Sequence, residues 1–321
     1  MREVIVIGSG PAGYAAAIYL ARARLNPLVL AGEKAGGQLM LTTEVENYPG
    51  FAKGIQGPEL MVEMRTQAEK FGAEIRNENV TKVELGGEFK KVWVGDQLEE
   101  AKVVIVTTGA RAKMLNVGEE RLLGRGVSTC ATCDAAFFKD KVTYLVGGGD
   151  VAMEDALALA KFAKRVEIVH RRDEFRASKV MQERVLGEDK VRVRWNSEVV
   201  GVKGESILEG IKIKDVKTGK EEEVEADGLF LAIGHIPDTD FLGDAIEVDS
   251  HGYVVTRMVK NSVEERKEWL EGYPTMSSVE GVFAAGDVVD FRYRQAITAA
   301  GMGVQAALDV EKYLTGRLPS W

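Results

Sequence analysis

Near the amino terminus, the pattern of apolar residues changes from that of a strand to that of a helix. Val4–Ile7 is a β-branched run, which is typical of a buried strand. The glycine-rich segment Gly8–Gly13 follows it, and Tyr14–Ala23 is rich in alanine and leucine, as helices are. Leu28–Leu30 then predicts a second strand. This succession is the strand–turn–helix–strand unit from which parallel, doubly wound sheets are built.

The same pattern returns in the middle of the chain. Val142–Val146 predicts a strand, Gly147–Ala152 a turn, Met153–Phe162 a helix and Val166–Val169 the next strand. The two glycine turns begin at positions 8 and 147, far enough apart for each to start its own domain. We therefore interpret the pattern as two dinucleotide folds and not as a short-period repeat.

Two further strands end in glycine at the points where we expect the chain to change domain. Val103–Val106 leads to Gly109, and Leu229–Ile233 leads to Gly234. We predict an α/β protein with two doubly wound, Rossmann-like, three-layer domains, the second inserted in the first. The predicted domains are residues 1–112 with 240–321, and residues 113–239.

Composition excludes several classes of protein. Hydrophobic residues make up 45% of the 321 residues and charged residues 29%, so the chain can bury ordinary cores and shows no sign of disorder. A formal charge of −8 argues against general nucleic-acid binding. No stretch approaches the roughly 18 apolar residues of a membrane span, and the first residues lead into a strand without a secretory apolar segment. We therefore expect a cytoplasmic protein.

The two cysteines, Cys130 and Cys133, form a CxxC pair. A structural zinc site needs four ligands, and none of the three histidines lies near Cys130 in the sequence, which leaves a zinc site as the weaker alternative. A buried pair of free thiols is the other alternative. In a cytosolic protein a close pair is more often redox-active, and Asp134 could give a proton to the leaving thiolate.

The first glycine turn suits a dinucleotide. Gly8 permits the tight turn, Gly10 lets the backbone approach a pyrophosphate, and Gly13 allows the helix to pack closely on the strand. Glu33 follows the second strand and suits the ribose hydroxyls of an adenosine. The alternative is a tight turn that uses glycine for purely structural reasons.

The second turn, Gly147-x-Gly149-x-x-Ala152, differs from the first in the residues that come after its second strand. Where a site for NAD would carry an acidic residue, this chain has Arg171, Arg172 and Arg176. Guanidinium groups match the geometry of a phosphate, so the loop indicates a 2′-phosphate site and hence NADP. The alternative is a solvated basic loop.

A third segment, Gly281–Asp287, is predicted to be a strand that ends in Gly-Asp. An acidic residue at the end of a strand can reach a polyol hydroxyl, and Arg294, Gln295 and Ala296 open the helix that follows. Ordinary packing of a strand on a helix would explain this segment equally well.

Together these segments resemble the low-molecular-weight thioredoxin reductases over nearly the whole chain. The resemblance is carried, in order, by Gly8–Gly13, Gly36–Leu39, Thr43–Gly50, Cys130–Asp134, His170–Ala177 and Gly281–Ala296. It implies a redox disulfide of Cys130 and Cys133, with Asp134 as the acid.

The resemblance also implies two cofactors, FAD and NADPH. The predicted FAD contacts are Gly8, Gly10, Pro11, Ala12, Gly13, Glu33, Gly37, Gln38, Leu39, Asn47, Gly286, Asp287, Arg294, Gln295 and Ala296. The predicted NADPH contacts are Gly147, Gly148, Gly149, Asp150, Arg171, Arg172 and Arg176. No metal is predicted.

The implied activity is NADPH-dependent reduction of a thioredoxin-type protein disulfide through FAD and the cysteine pair, and the implied assembly is a homodimer. A reductase of the same fold that serves a glutaredoxin-like or peroxiredoxin-linked acceptor is the nearest alternative. A nucleotide-sensing protein without turnover is an alternative of another class.

Three features depart from the family pattern. Ala135 stands where the family usually has glycine, and Val151 stands where it usually has serine. Extra residues separate Val255 from Thr275, and Ser262-x-x-Glu265 is a capping box that predicts an additional helix near 263–271.

Overall fold

The computed structural model describes residues 1–42, 44–257 and 272–316. The chain forms two compact units, the first of Met1–Arg111 and Ile236–Trp321 and the second of Ala112–His235. The helix predicted near 263–271 lies outside the described residues. Across those residues, no helix is both long and apolar enough to cross a lipid bilayer.

The elements follow one another in the order strand, helix, strand that the apolar pattern predicts for each unit. The helices are α1 (Pro11–Arg22), α2 (Gly57–Lys70), α3 (Ala131–Asp134), α4 (Asp150–Ala160), α5 (Lys179–Leu186) and α6 (Ala296–Thr315). Short 3-10 turns occupy Gly37–Leu41, Glu119–Leu122, Ala135–Phe138 and Asp240–Leu242. The strands are β1 (Arg2–Ile7), β2 (Leu28–Leu30), β3 (Glu44–Val45), β4 (Ile55–Gln56), β5 (Glu74–Arg76), β6 (Lys82–Glu84), β7 (Lys90–Val94), β8 (Gln97–Val106), β9 (Ala110–Ala112), β10 (Val127–Ser128), β11 (Val142–Gly147), β12 (Arg165–Val169), β13 (Val191–Arg194), β14 (Ser197–Lys203), β15 (Gly210–Asp215), β16 (Glu221–Glu225), β17 (Gly228–Ala232), β18 (His235–Pro237) and β19 (Val282–Ala284).

The main sheet of the first unit has the strand order β5-β2-β1-β8-β7-β6, and β19 also pairs with β8. The strands β5, β2, β1 and β19 run parallel to their neighbours, whereas β6, β7 and the first half of β8 form an antiparallel meander. Because β1 and β19 both pair with the second half of β8, their carboxyl ends meet at one edge of the sheet. The first glycine turn and Asp287 come directly after these two strands.

Alternate residues of the strands enter two separate cores of the first unit. Val4 and Val6 pack with α1, α2 and α6 on one face. Ile5 and Ile7 pack on the other face with residues of the meander and of the segment near Leu242. A strand places successive side chains on opposite faces, so an all-apolar run such as β1 is stable only when both faces are covered.

The second unit repeats this arrangement. Its parallel sheet has the order β10-β17-β11-β12-β13. Leu145 and Ile168 pack with α3, α4 and α5 on one face, and Tyr144 and Val169 pack on the other with β14 and β15 of a separate antiparallel sheet.

The predicted α/β class with two Rossmann-like sheets is confirmed. In each unit, apolar residues of β-strands help to cover the second face of the parallel sheet. In most doubly wound sheets, helices cover that face. The chain leaves and re-enters the first unit through β9 and β18, which pair with each other.

Candidate redox centre and dinucleotide sites

Cys130 and Cys133 are joined by a disulfide in the second unit, with their Cα atoms 5.3 Å apart. Cys130 is the N-cap residue of α3, the short helix that ends at Asp134. Both cysteines are partly exposed residues. The predicted disulfide is therefore confirmed, and its position on one helical turn keeps the two sulfurs together when the bond opens.

Asp134 lies on the same turn as the disulfide. Its backbone N–H donates to the carbonyl oxygen of Cys130 at 3.2 Å. Burial raises the pKa of the Asp134 carboxyl above its ordinary value, and a hydrogen bond from the Ser128 hydroxyl opposes this shift. A carboxyl with a raised pKa can hold a proton nearer to neutral pH and give it to a thiolate.

The first glycine turn has two glycines that the fold itself requires and one that it does not. A Cβ on Gly8 would overlap the carbonyl oxygen of Thr107, and a Cβ on Gly13 would overlap that of Gly8. A Cβ on Gly10 would have no described atom within 4 Å. Gly10 thus borders open space in front of α1, whose first turn contains Pro11 and Ala12 and leaves backbone N–H groups for an anion.

A second loop lies against this turn. The buried Ser9 hydroxyl donates to the carbonyl oxygen of Ala31 at 2.7 Å and accepts the N–H of Gly36 at 2.9 Å. A Cβ on Gly37 would lie 3.4 Å from the Cα of Gly10, so the two backbones are close. The predicted residues Gly37, Gln38 and Leu39 begin the 3-10 turn of this loop, and the side-chain amide of Gln38 donates to the carbonyl oxygen of Ala110.

Glu33 lies just beyond β2 and is exposed. Its backbone N–H donates to the side-chain oxygen of Asn79 at 3.0 Å. The backbone of this residue is therefore fixed from the neighbouring segment after β5, while its carboxylate faces solvent, where a ribose could reach it.

Asp287 follows Gly286 at the end of β19, where a buried carboxylate oxygen, Oδ1, finds no hydrogen-bond partner among the described residues. Burial, with a smaller effect of the negative charge of Asp290, raises the pKa of Asp287 to about 7, and Arg294 opposes this. Buried acceptors are seldom left unpaired, so this oxygen is suited to a hydroxyl donor from a bound molecule.

The segment after Asp287 is held by Asp290, whose carboxylate accepts the backbone N–H groups of Arg292, Tyr293 and Arg294. Gln295 is the N-cap residue of α6. The side-chain amide of Asn47 donates to the side-chain oxygen of Gln295 at 3.2 Å. Asn47 and Gln295 are thus brought together, with Ala296 as the first residue of α6.

These features of the first unit fit a flavin dinucleotide. The space beside Gly10 at the N-terminus of α1 suits a pyrophosphate, and the unpaired oxygen of Asp287 suits a hydroxyl of a polyol chain.

The second glycine turn, like the first, has two glycines that the fold requires and one that it does not. A Cβ on Gly147 would lie 2.6 Å from the Cβ of Ala152, and a Cβ on Gly148 would overlap the ring of His170. A Cβ on Gly149 would meet no atom of the described chain within 4 Å. Gly149 is the N-cap residue of α4, so open space again borders a helix N-terminus.

The arginine loop is fixed beside this turn. The backbone N–H groups of Arg176 and Ala177 donate to the carbonyl oxygen of Gly148 at 2.8 and 3.1 Å. The buried Phe175 packs on Trp195 with ring centroids 4.4 Å apart and on His170 at 5.4 Å. The hydrogen bonds to Gly148 and the packing of Phe175 hold the backbone of this loop in place. Its arginines, Arg171, Arg172 and Arg176, are exposed, as the binding of a phosphate requires.

Asp150, another predicted NADPH contact, has a partner within the protein. Its Oδ1 accepts the backbone N–H and the hydroxyl of Ser178, at 2.9 and 2.8 Å. These hydrogen bonds lower the pKa of the Asp150 carboxyl. In this structure the Asp150 side chain therefore ties α4 to the end of the arginine loop.

Sequence reasoning missed three serines that hold the functional segments: Ser9, Ser128 and Ser178. Each anchors a loop through its hydroxyl. The spacing of Ser128, two residues before Cys130, is typical of a serine turn and is the one local signal that could have revealed such a role.

Comparison with known proteins agrees with this geometry. Residues 2–303 match the family described as pyridine nucleotide-disulphide oxidoreductase. The chain is similar to a thioredoxin reductase of Streptomyces clavuligerus, with 52% identity over 98% of this chain and 94% of that protein. It is 50% identical, over 98% of its length and 66% of the other protein's, to a bifunctional thioredoxin reductase/thioredoxin of Mycobacterium leprae.

Among solved structures, a thioredoxin reductase from Streptococcus pyogenes superposes with a TM-score of 0.88 at 40% identity, over 99% of both chains. The chain therefore belongs to the pyridine nucleotide-disulphide oxidoreductase family, within the group that contains the thioredoxin reductases.

Proposed function

We propose that this protein is a thioredoxin reductase that uses NADPH and FAD to reduce the disulfide of a thioredoxin. The observation that carries the proposal is the Cys130–Cys133 disulfide on one turn with Asp134. The same unit carries a dinucleotide turn and an anchored loop with three arginines.

FAD is proposed for the first unit, where Gly10, Asp287 and the α6 terminus offer contacts to its pyrophosphate and polyol chain. NADPH is proposed for the second unit, where Arg171, Arg172 and Arg176 would bind its 2′-phosphate. When bound, NADPH would supply a hydride, and FAD would supply the resulting electron pair to the disulfide.

The chain's own residues perform the thiol chemistry. Opening of the Cys130–Cys133 bond takes up two electrons and leaves two sulfurs, one of which receives a proton from Asp134. In the assignment that the family resemblance implies, the Cys130 thiolate then attacks the thioredoxin disulfide, forms a mixed disulfide and displaces one thioredoxin sulfur as a thiolate, which takes a proton from solvent. Cys133 gives its proton back to Asp134 and attacks the Cys130 sulfur. The second thioredoxin sulfur leaves as a thiolate and also takes a proton from solvent, so the original disulfide is restored.

The acceptor is proposed to be thioredoxin because the relatives bear the name thioredoxin reductase, and one of them is named as bifunctional with thioredoxin. The alternative acceptor is a glutaredoxin-like or peroxiredoxin-linked protein. A homodimer and a cytoplasmic location are proposed from the resemblance.

The experiment that tests the proposal is turnover of the FAD-loaded protein with NADPH and a panel of oxidised thioredoxins, glutaredoxins and peroxiredoxins. We expect thioredoxin to be the preferred acceptor by kcat/KM. Preference for another acceptor would favour the alternative, and binding of NADPH without turnover on any acceptor would favour a nucleotide-sensing protein.

A further inference from the structure

Trp195 is an aromatic residue of the second unit that packs against the arginine loop from another segment of the chain. It lies in the turn between β13 and β14 and is partly exposed. Its ring packs on the buried Phe175 with ring centroids 4.4 Å apart, and it meets the ring of His170 edge-on at 6.0 Å. Phe175 belongs to the arginine loop and directly precedes Arg176. Trp195 is thus the member of this three-ring cluster that comes from outside the loop.

The backbone of the same turn is hydrogen-bonded to the beginning of the loop. The N–H of Asn196 donates to the carbonyl oxygen of Arg172 at 3.1 Å, and the N–H of Ser197 donates to that of His170 at 3.0 Å. Asn196 has a φ of 51°, in the left-handed region that asparagine enters more readily than most residues. Backbone contacts therefore hold the first part of the loop, and the ring of Trp195 supports the part that contains Phe175.

The position of Phe175 bears directly on the arginines, because it stands between Arg172 and Arg176 in the sequence. The backbone N–H of Arg176 donates to the carbonyl oxygen of Gly148 at 2.8 Å, which joins this end of the loop to the second glycine turn. If the ring of Phe175 lost the neighbouring ring of Trp195, the loop would have more conformations available. The exposed arginines would then lose more entropy when they bind a phosphate.

We propose that Trp195 is a positioning residue for the coenzyme and that its packing on Phe175 supports a preference for NADPH over NADH. The proposal rests on the proposed function and deepens it. NADPH differs from NADH only in the 2′-phosphate, which Arg171, Arg172 and Arg176 are proposed to bind. Loosening these arginines should therefore weaken the binding of NADPH and leave that of NADH nearly unchanged, whereas a general loss of structure would weaken both.

Lys217 also contacts the loop from another segment. Its Nζ lies 3.4 Å from a carboxylate oxygen of Asp173, and both side chains are exposed. Water and salt screen an exposed ion pair, so this contact contributes little to the order of the loop. Trp195 is the better side chain to change, because its contact is apolar and its partner Phe175 is buried.

The first unit offers a matched control. Trp93 on β7 is also a partly exposed tryptophan, and the Nζ of Lys82 lies 4.6 Å from the centroid of its ring. Trp93→Ala therefore removes a side chain of the same size and similar exposure from the unit that does not carry the arginine loop.

The test compares Trp195→Ala, Trp195→Phe and Trp93→Ala with the FAD-loaded wild type. Reduction of ferricyanide is measured with NADPH and with NADH, because this acceptor does not need the disulfide, and the affinities for NADP⁺ and NAD⁺ are measured by equilibrium titration. In Trp195→Ala, we expect the KM for NADPH to rise about tenfold, the cost of ordering one or two more side chains on binding. The kcat with NADPH and the KM for NADH should not change, and the affinity for NADP⁺ should fall by the same factor. Trp195→Phe, which keeps an aromatic ring beside Phe175, and Trp93→Ala should keep the wild-type preference.

A folded, FAD-loaded Trp195→Ala variant with the wild-type ratio of kcat/KM for the two coenzymes would overturn the proposal. An equal loss of affinity for NADP⁺ and NAD⁺ would also overturn it, as would the same loss of preference in Trp93→Ala or a wild type without any preference. If Trp195→Ala does not fold, Trp195→Leu takes its place, and a wild-type preference in that variant would count equally against the proposal.

This result is separate from the identity of the acceptor protein. If the wild type prefers NADPH but reduces no thioredoxin, and Trp195→Ala loses the preference, the proposed function fails and the role of Trp195 stands. If the wild type reduces thioredoxin and Trp195→Ala keeps the preference, the proposed function stands and the role of Trp195 fails.

Discussion

Asn47 and Gln295 are joined by a hydrogen bond of 3.2 Å between their side chains, although 248 positions separate them in the sequence. Gln295 is the N-cap residue of α6, whereas Asn47 lies on the loop after β3. The contact joins the two distant parts of the first unit at the segment where both residues are proposed to meet FAD. The hydrogen bond fixes the two amide groups relative to each other, and such fixing lowers the entropy that side chains lose on binding.

Replacement by alanine should have different effects at Gly10, where a Cβ has room, and at Gly13, where it would overlap the backbone. Gly10→Ala should leave the free energy of unfolding of the flavin-free protein within about 0.5 kcal/mol of wild type, because its Cβ has room. It should weaken FAD binding by about tenfold or more, because the methyl group takes the space where the pyrophosphate approaches. Titration of the flavin-free protein with FAD measures the second effect.

Gly13→Ala is the matched variant. Its Cβ would overlap the carbonyl oxygen of Gly8, so we expect a loss of about 1–3 kcal/mol in stability even without flavin. A Gly10→Ala protein that keeps wild-type FAD affinity would show that the space beside Gly10 is not the pyrophosphate site.

The raised pKa of Asp287 predicts how the flavin-free protein responds to pH. The pKa of Asp287 is about 7 in the folded protein, above its value in the unfolded chain. At any pH between these two values, Asp287 takes up a proton when the protein folds. Stability from this group is therefore present at low pH and is lost as pH rises through the folded value, by up to about 4 kcal/mol from the shift in pKa.

Asp287→Asn should remove this pH dependence and make the flavin-free variant more stable than wild type above neutral pH. Urea unfolding of both proteins at mildly acidic and mildly basic pH measures the difference. The exposed Asp244→Asn variant is the control and should behave like wild type. If the free energy of unfolding changed equally with pH in wild type and in Asp287→Asn, the account of this carboxyl would be contradicted.

The arginine loop predicts the choice of coenzyme. Wild type should prefer NADPH to NADH by about 2–4 kcal/mol in kcat/KM, the scale of one or two charge-assisted contacts to a phosphate. Replacing Arg171 and Arg172 with alanine should raise the KM for NADPH and leave that for NADH nearly unchanged. Arg192→Ala, an exposed arginine of β13, is the control. Equal wild-type kcat/KM values for the two coenzymes would identify the loop as a solvated surface.

The two cysteines are predicted to differ in a trapping experiment. Cys133→Ser keeps the Cys130 thiol, which should attack an activated thioredoxin and remain in a mixed disulfide because no second thiol resolves it. Cys130→Ser should form far less of this complex. Non-reducing electrophoresis detects the product. A complex formed by Cys130→Ser and absent from Cys133→Ser would reverse the roles of the two sulfurs.

The parts of the molecule that sequence reasoning could predict are those set by neighbouring residues. The apolar run of β1 and the overlap that a side chain on Gly13 would cause are local, so the pattern predicted the parallel sheets and glycine turns. The disulfide of Cys130 and Cys133 could be predicted for the same reason, because a separation of three residues on one turn brings the sulfurs together.

The contacts that could not be predicted depend on folding. The partner of Ser9 at Ala31 and that of Asp150 at Ser178 are brought close only when the sheet is complete. The unpaired oxygen of Asp287 results from burial by several segments at once, which a linear pattern does not contain. The position of β6, β7, β14 and β15 as cover for the second face of each sheet likewise depends on the complete fold.

The most direct test of the central claim is anaerobic consumption of NADPH by the FAD-loaded protein with a limited amount of oxidised thioredoxin, after which the thioredoxin thiols are counted. The account predicts that one NADPH is consumed for each thioredoxin disulfide that becomes a dithiol, because each step transfers two electrons. It also predicts that Cys130→Ser and Cys133→Ser, although loaded with FAD, show no such turnover. Thioredoxin-dependent turnover at the wild-type rate in either variant, or its absence in the wild type, would contradict the account.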